Sequence, residues 1–195
     1  MDFDTVFRTD NKVRDKFLSR LMGLFSERII DVWTRTNASP YSNIGRPTLK
    51  ERPEGKDRST LDFLFQNKKN EKRYIVEMKC WLEYDNYRFL SLNDPSQLTK
   101  IHSASFRRFL CMARQPDSYR VKSGQQFYEV NGSILVWGKV SQDASKKIKT
   151  HFGFADVISL ESVINDLVHQ RNKEYADLIT RYSGQCRFLF DALLT

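Results

Sequence analysis

Tyr74-Ile75-Val76-Glu77-Met78-Lys79-Cys80-Trp81 is an apolar run that carries one carboxylate and one ammonium two positions apart. The run reads as a β-strand, and a strand puts residues two apart on the same face. Glu77 and Lys79 therefore point the same way from an otherwise buried element. Burying charge is costly unless the charge is paired or holds a metal. Just upstream, Ser59-Thr60-Leu61-Asp62-Phe63-Leu64-Phe65 is a second apolar run with a lone carboxylate. Strands over 59–66 and 73–80, with Asn67-Lys68-Lys69-Asn70-Glu71 between them, predict a hairpin. Leu61, Phe63 and Phe65 share one face of the first strand, with Asp62 and Leu64 on the other. Tyr74, Val76 and Met78 share one face of the second, with Ile75, Glu77 and Lys79 on the other. Asp62 joins Glu77 only if residues of odd and even number oppose each other, as in Asp62 opposite Glu77. A slip of one residue turns Asp62 away. In the joining register, two carboxylates and a lysine stand together, a set able to bind a divalent metal beside a phosphate.

Outward from this hairpin, residues 12–36 predict a helix. Phe17, Leu18, Leu21, Met22, Phe25, Ile29, Val32 and Trp33 recur at spacings of three and four, and Asp10 is placed to cap the start. Residues 37–58 read as a polar connection rich in Arg and Lys, long enough to be functional. Pro95 opens a predicted helix to about Arg114, with Asp94 or Asn93 as its cap. Ser133 to Val140 reads as a buried strand. Asn131-Gly132 before it is a turn signal for a hairpin with residues 127–130. Phe154 to Leu160 is a further strand, Ser159 or Ser162 caps a helix to His169, and a last helix spans about 171–194. The sum is one mixed α/β domain over residues 1–195, with its core in 12–170.

The chain has 195 residues and 14 Phe, enough for a core without disulfides. Cys80, Cys111 and Cys186 are odd in number and widely spaced, which predicts reduced thiols and a cytoplasmic, intracellular setting. No run of about 18 apolar residues predicts a membrane span, and the acidic start (Asp2, Asp4) argues against a signal peptide. No His spacing points to zinc. The formal net charge of +8 favours a polyanionic partner, nucleic acid before an acidic membrane.

Asp62 followed fifteen residues on by Glu77-x-Lys79 resembles the signature of the PD-(D/E)xK nuclease superfamily, the restriction-endonuclease-like fold. The likeness covers residues 59–80 well and 12–140 loosely. In that pattern the Asp begins or lies in the second core strand and the Glu-x-Lys lies in the third. A Glu on the first core helix often completes the site; Glu27, after Gly23-Leu24-Phe25-Ser26, has a similar context. Leu61 stands where the family often has Pro. Gln97 has Ile101 four residues on, not the Tyr of the exonuclease-like branches.

The resemblance implies a mixed central sheet flanked by helices and hydrolysis of DNA phosphodiesters with Mg²⁺, for which Mn²⁺ can substitute. It implies Asp62, Glu77 and the Met78 backbone carbonyl as metal ligands, Lys79 as a catalytic residue, and Glu27 as holder of a water or second metal. Asp57 is a rival third carboxylate. Arg46, Lys50, Arg52, Lys56 and Arg58 lead into the Asp62 strand and are candidate phosphate contacts; Gln97 is a candidate substrate contact. Two further basic clusters are Arg107-Arg108 and Lys146-Lys147-Lys149. Tyr84, Tyr87 and Phe89 could stack on bases, with core packing the competing fate. By family analogy, cutting both strands calls for a homodimer. Competing readings are an RNA nuclease, a nucleic-acid-binding or scaffolding module without turnover, and a basic protein-interaction domain.

Overall fold

The computed structural model describes residues 16–51, 58–81 and 89–194. The predicted first helix is α1, Lys16–Thr34. Its Ile29, Ile30, Val32 and Trp33 are buried, the stripe that the three-and-four spacing requires. Five strands follow: β1 (Tyr41–Gly45), β2 (Thr48–Glu51), β3 (Arg58–Thr60), β4 (Phe63–Asn67) and β5 (Arg73–Lys79). Next come β6 (Ser91–Leu92), α2 (Ser96–Thr99), α3 (Ala104–Arg114), β7 (Tyr119–Ser123) and β8 (Gln126–Tyr128). The remaining elements are β9 (Ser133–Trp137), β10 (Lys139–Val140), α4 (Gln142–Phe152), β11 (Asp156–Ser159), α5 (Leu160–His169) and α6 (Lys173–Leu193). None of the described helices is long and apolar enough to cross a membrane.

The central sheet has five strands in the order β1-β4-β5-β9-β11. β1, β4 and β5 run antiparallel, while β5, β9 and β11 run parallel. The protein is thus mixed α/β, with a mixed central sheet and flanking helices. The hairpin has the register that the carboxylates require: Phe63 lies opposite Val76 and Leu64 opposite Ile75. One step further along the same register sets Asp62 opposite Glu77. Strand alternation then divides the core in two. Phe63, Phe65, Val76, Met78, Ile134 and Val136 pack with α1, α5 and α6. Leu64, Ile75, Leu135 and Trp137 pack on the other side with Phe106, Phe109 and Met112 of α3 and with Ile148 of α4.

A second sheet, ordered β3-β2-β7-β8, is antiparallel throughout. Its Leu49 and Val121 join the α3-side core. The chain leaves the central sheet for this one at Gly45-Arg46-Pro47 and returns at Leu61-Asp62. The two crossings are stitched together by the Leu61 N–H, which donates to the Pro47 carbonyl at 3.0 Å. Gly45 has φ +141°, and a Cβ there would sit 2.3 Å from Ser123 Oγ. The outgoing crossing therefore needs both a glycine's backbone freedom and its missing side chain.

Several expectations are corrected. Residues 37–58, read as a connection, contain β1 and β2 and the start of β3. Their sequence is polar because β1 is a sheet edge and the second sheet buries only one face, which leaves a weak apolar signal. The helix expected from Pro95 to Arg114 is two. The Ser103 hydroxyl caps α3 by accepting from the Phe106 N–H at 3.3 Å. Residues 127–130 do not form a hairpin with Ser133. Gln126–Tyr128 pairs instead with Tyr119–Ser123, and β9 pairs parallel to β5. Asn131 secures that entry: its side-chain oxygen accepts from the Arg73 N–H at 3.0 Å. Helix α4 went unread because only Ala144 and Ile148 of it are buried. Ser159 occupies the N-cap position of α5 without a side-chain capping bond; its hydroxyl accepts instead from the Val140 N–H at 3.4 Å. Asp10, the expected cap of the first helix, lies outside the described residues.

Gly45→Ala is expected to cost about 1–2 kcal/mol, from backbone strain at positive φ together with the Ser123 contact. Urea unfolding midpoints of the variant and the parent measure it, and equal midpoints would show that the crossing tolerates a side chain.

Candidate active site

The site begins where β4 leaves its ladder. The Asp62 N–H still donates to the Val76 carbonyl at 3.2 Å, but residues 58–60 belong to the second sheet. The Asp62 carboxylate accepts the Met78 N–H at 2.7 Å. A buried N–H without a partner costs about as much as a lost hydrogen bond, and an ionised acceptor makes a stronger bond than a neutral one. One side chain therefore completes the ladder and is held in a fixed pose beside Glu77.

Glu77 is only 5% exposed, on the same strand face as Ile75 and Lys79. Its carboxylate is ion-paired and hydrogen-bonded with Lys79. The Lys79 ammonium lies 5.6 Å from the centre of the Phe106 ring, so α3 supplies an aromatic face that holds the cation. Glu27 approaches from α1, in the opposite helical layer. Arg46, at the outgoing crossing, joins the two halves. Its guanidinium is 3.6 Å from Asp62 and 3.9 Å from Glu27. Glu27, Arg46 and Asp62 line one open cleft with Asp31, Asn43 and Tyr182. The Asn43 amide donates to Asp31 at 3.0 Å, and the Asn43 side-chain oxygen accepts from the Gly45 N–H at 3.1 Å.

All three carboxyls are held above the usual carboxylate range. For Glu77, burial is the main cause and Asp62's charge adds to it; Lys79 and Arg46 offset part, leaving the group pushed up to about 7. Asp62 is raised by burial, against the opposing effects of the Met78 N–H, Lys79 and Arg46. Glu27 is raised by burial and then by Asp62, with Arg46 the largest opposing charge. Three acids whose charges are this costly form a place where added positive charge is favoured.

The hairpin thus unites Asp62, Glu77 and Lys79 as the sequence predicts, and Glu27 reaches the same cluster through Arg46. Among the described residues, no group of three or more His, Cys, Asp or Glu side chains is gathered into a metal-holding set. Glu27 is therefore not closed into a cage with Asp62 and Glu77. Lys50 and Arg58 face each other across the second sheet. Arg52, Lys56, Asp57, Tyr84 and Tyr87 lie outside the described residues.

The other predicted contacts have structural tasks. The Gln97 amide accepts from the Asn93 and Asp94 N–H groups and donates to the Ser91 carbonyl, so it ties its own loop together. Arg108 donates to Ser59 Oγ at 2.6 Å. Lys149 pairs with Asp156 in another cleft that Lys146 also lines, so the three basic clusters do not share one groove. Phe89 stacks edge-on against Trp81, at 5.8 Å between ring centres. Asp31 went unread in the sequence, where its place one helical turn beyond Glu27 was the available signal; nothing in the sequence marked Asn43, Tyr182 or Phe106. Comparison with known proteins returned no match to a family model, a curated protein or a solved structure.

Because the folded protein holds these acids' protons more tightly than the unfolded chain does, the stability they confer is complete below an ordinary carboxyl pKa. Glu77's share is lost as pH rises through about 7. In buffer free of divalent cations, the denaturation midpoint is expected to fall from acidic to mildly alkaline pH, and Glu77→Gln is expected to flatten that fall. Identical slopes for the two proteins would remove Glu77 as the cause. Separately, Asp62→Ala is expected to cost about 1–3 kcal/mol by leaving the Met78 N–H unpaired. Asp62→Asn keeps an acceptor and is expected to cost less in the same urea titration.

Proposed function

We propose that the chain is a metal-dependent nuclease with a restriction-endonuclease-like fold that hydrolyses phosphodiester bonds in DNA. The observation that carries this reading is the hairpin register, which sets Asp62 beside the buried Glu77–Lys79 pair. The order of elements supports it as well. In the antiparallel trio β1-β4-β5, Asp62 stands at the head of the second strand and Glu77-x-Lys79 lies in the third. Glu27 sits on the helix that precedes them.

The donor set suits a hard cation. Asp62, Glu77 and the Met78 carbonyl offer only oxygen, and Mg²⁺ takes one or two carboxylates and keeps several waters. Bound there, Mg²⁺, or Mn²⁺ in its place, would act as a Lewis acid and lower the pKa of water. The Met78 N–H and the paired Lys79 keep Asp62 and Glu77 oriented before substrate arrives. Lys79, on its aromatic support, orients the attacking water or steadies the charge that builds on the phosphate. Glu27, from the far wall of the cleft, would hold a further water. Arg46 is 58% exposed along its side chain and stands where an entering phosphate would meet it.

One observation favours a second reading, a nucleic-acid-binding module without turnover. Arg46 and Lys79 already neutralise much of the carboxylate charge from within the chain. RNA is the alternative substrate under either reading.

The test is incubation of purified protein with plasmid, linear duplex, single-stranded DNA and RNA, with Mg²⁺ or Mn²⁺ and with EDTA. Metal-dependent cutting is expected, reduced about 100-fold or more by Lys79→Ala and by Asp62→Asn. Cutting that survives both substitutions, or that EDTA does not stop, would overturn the assignment. Binding with no cutting of any substrate would favour the module.

A further inference from the structure

The second sheet buries Leu49, Ser59 and Val121 against α3 and turns its other face outward. Alternation puts Lys50, Arg58, Arg120, Lys122 and Phe127 on that outer face. Their register is unusual. Lys50 lies directly opposite Arg58 on one side and Arg120 on the other, so three cations form one cross-strand row. Lys122 lies opposite Phe127 in the neighbouring row. Like charges directly across a ladder are destabilising. Solubilising charge on sheet edges is a known device, but β2 and β7 are the two inner strands here. Lys50 and Lys122, on the inner strands, put positive charge where an anion can lie across the face.

Phe127 indicates what kind of anion. Phe127 is 53% exposed and sits one pair in from the β7–β8 turn. The Arg120 guanidinium lies 4.9 Å from the centre of its ring and the Lys50 ammonium 6.0 Å. An aromatic ring offered to solvent among cations is the arrangement that stacks an unpaired base while the neighbouring phosphates are neutralised. In a duplex the bases are already stacked on one another, so the ring would gain nothing from it.

The position fits as well. β2 begins two residues after Arg46, and β3 ends two residues before Asp62. Four residues of extended strand separate Arg58 from Asp62, at most about 13 Å. A strand held at Arg58 is therefore within about 13 Å of Asp62 along the backbone.

We propose that the outer face of the second sheet binds single-stranded nucleic acid, its phosphates on Lys50, Arg58, Arg120 and Lys122 and one base stacked on Phe127. The proposal rests on the nuclease reading only for the role of that strand as substrate.

Fluorescence anisotropy in EDTA buffer tests binding apart from cleavage. The probes are labelled oligothymidylate and oligouridylate of about 15 nucleotides, the corresponding duplex, and vesicles of anionic phospholipid as competitor. The variants are Phe127→Ala, Phe127→Tyr and the pair Lys50→Gln with Lys122→Gln, each checked for folding by circular dichroism; Lys146→Gln with Lys147→Gln is the control. The expected result is tighter binding of single strands than of duplex, weakened about tenfold by Phe127→Ala and restored by Phe127→Tyr. The Lys50 and Lys122 pair should lower the salt slope by about 1.4, at about 0.7 for each phosphate no longer neutralised. Unchanged affinity in the sheet variants, loss only in the control pair, preference for duplex, or binding of vesicles in place of oligonucleotide would overturn the proposal. Sheet-dependent binding without metal-dependent cutting would sink the nuclease reading and leave this one standing. Cutting of single strands that is indifferent to the sheet variants would do the reverse.

Discussion

The hydrogen bond from the Met78 N–H to the Asp62 carboxylate, 2.7 Å long, is the interaction around which the rest is arranged. It lies where one strand path divides between two sheets. Upstream of Asp62 the chain pairs with β2; downstream it pairs with β5 and β1. A backbone ladder cannot serve both sheets at the branch, so one N–H of β5 would lose its partner. A short acidic side chain at the branch supplies that partner and, in the same pose, places a negative charge beside Glu77. Fold closure and site assembly are therefore one event.

The cost of that arrangement is electrostatic. Burial raises all three carboxyls, and the charge of Asp62 raises Glu27 and Glu77 further. The protein offsets this with two cations of different kinds. Lys79 is enclosed, with its side chain 18% exposed, between Glu77 and Phe106. Arg46 is more open and spans Asp62 and Glu27 at longer distances. A paired, buried lysine is a fixed part of the site, whereas an exposed arginine at loose range is held weakly and is free to meet another anion. This contrast separates a charge that organises the site from one that can greet a ligand.

The second sheet gives the site a neighbour rather than a wall. Its inner face is fixed to α3 through Leu49, Val121 and the bond from Arg108 to Ser59. Its outer face carries cations paired across strands around an exposed aromatic ring. Two of the connections that tie this sheet to the core, Gly45-Arg46-Pro47 and Leu61-Asp62, pass through the cluster of acids. Anything held on the outer face is thus mechanically close to the carboxylates, and any distortion of the crossings reaches both.

Much of this was legible in the chain. The β4–β5 hairpin, the shared face of Glu77 and Lys79, and the long first and last helices follow from local periodicity, because alternation by two and recurrence by three or four are backbone geometry; the hairpin's register does not, because alternation fixes a face and not a pairing. The second sheet was not legible. β2 and β7 are paired between residues about 70 positions apart, and each strand buries too few apolar residues to stand out. Nor could the sequence tell that Gln97 would be consumed by its own loop, or that Ser159 would bond to β10 rather than cap its helix.

The sequence by itself determined which residues carry charge inside apolar strands, and so which few could do chemistry. Only the tertiary structure decided which of them meet. The Arg46 bridge to Glu27 and Asp62, the Phe106 support of Lys79, and the cationic row across β3, β2 and β7 all depend on where separate elements cross. Periodicity within one element specifies a face. The partner of that face is set by packing between elements, which no local pattern encodes.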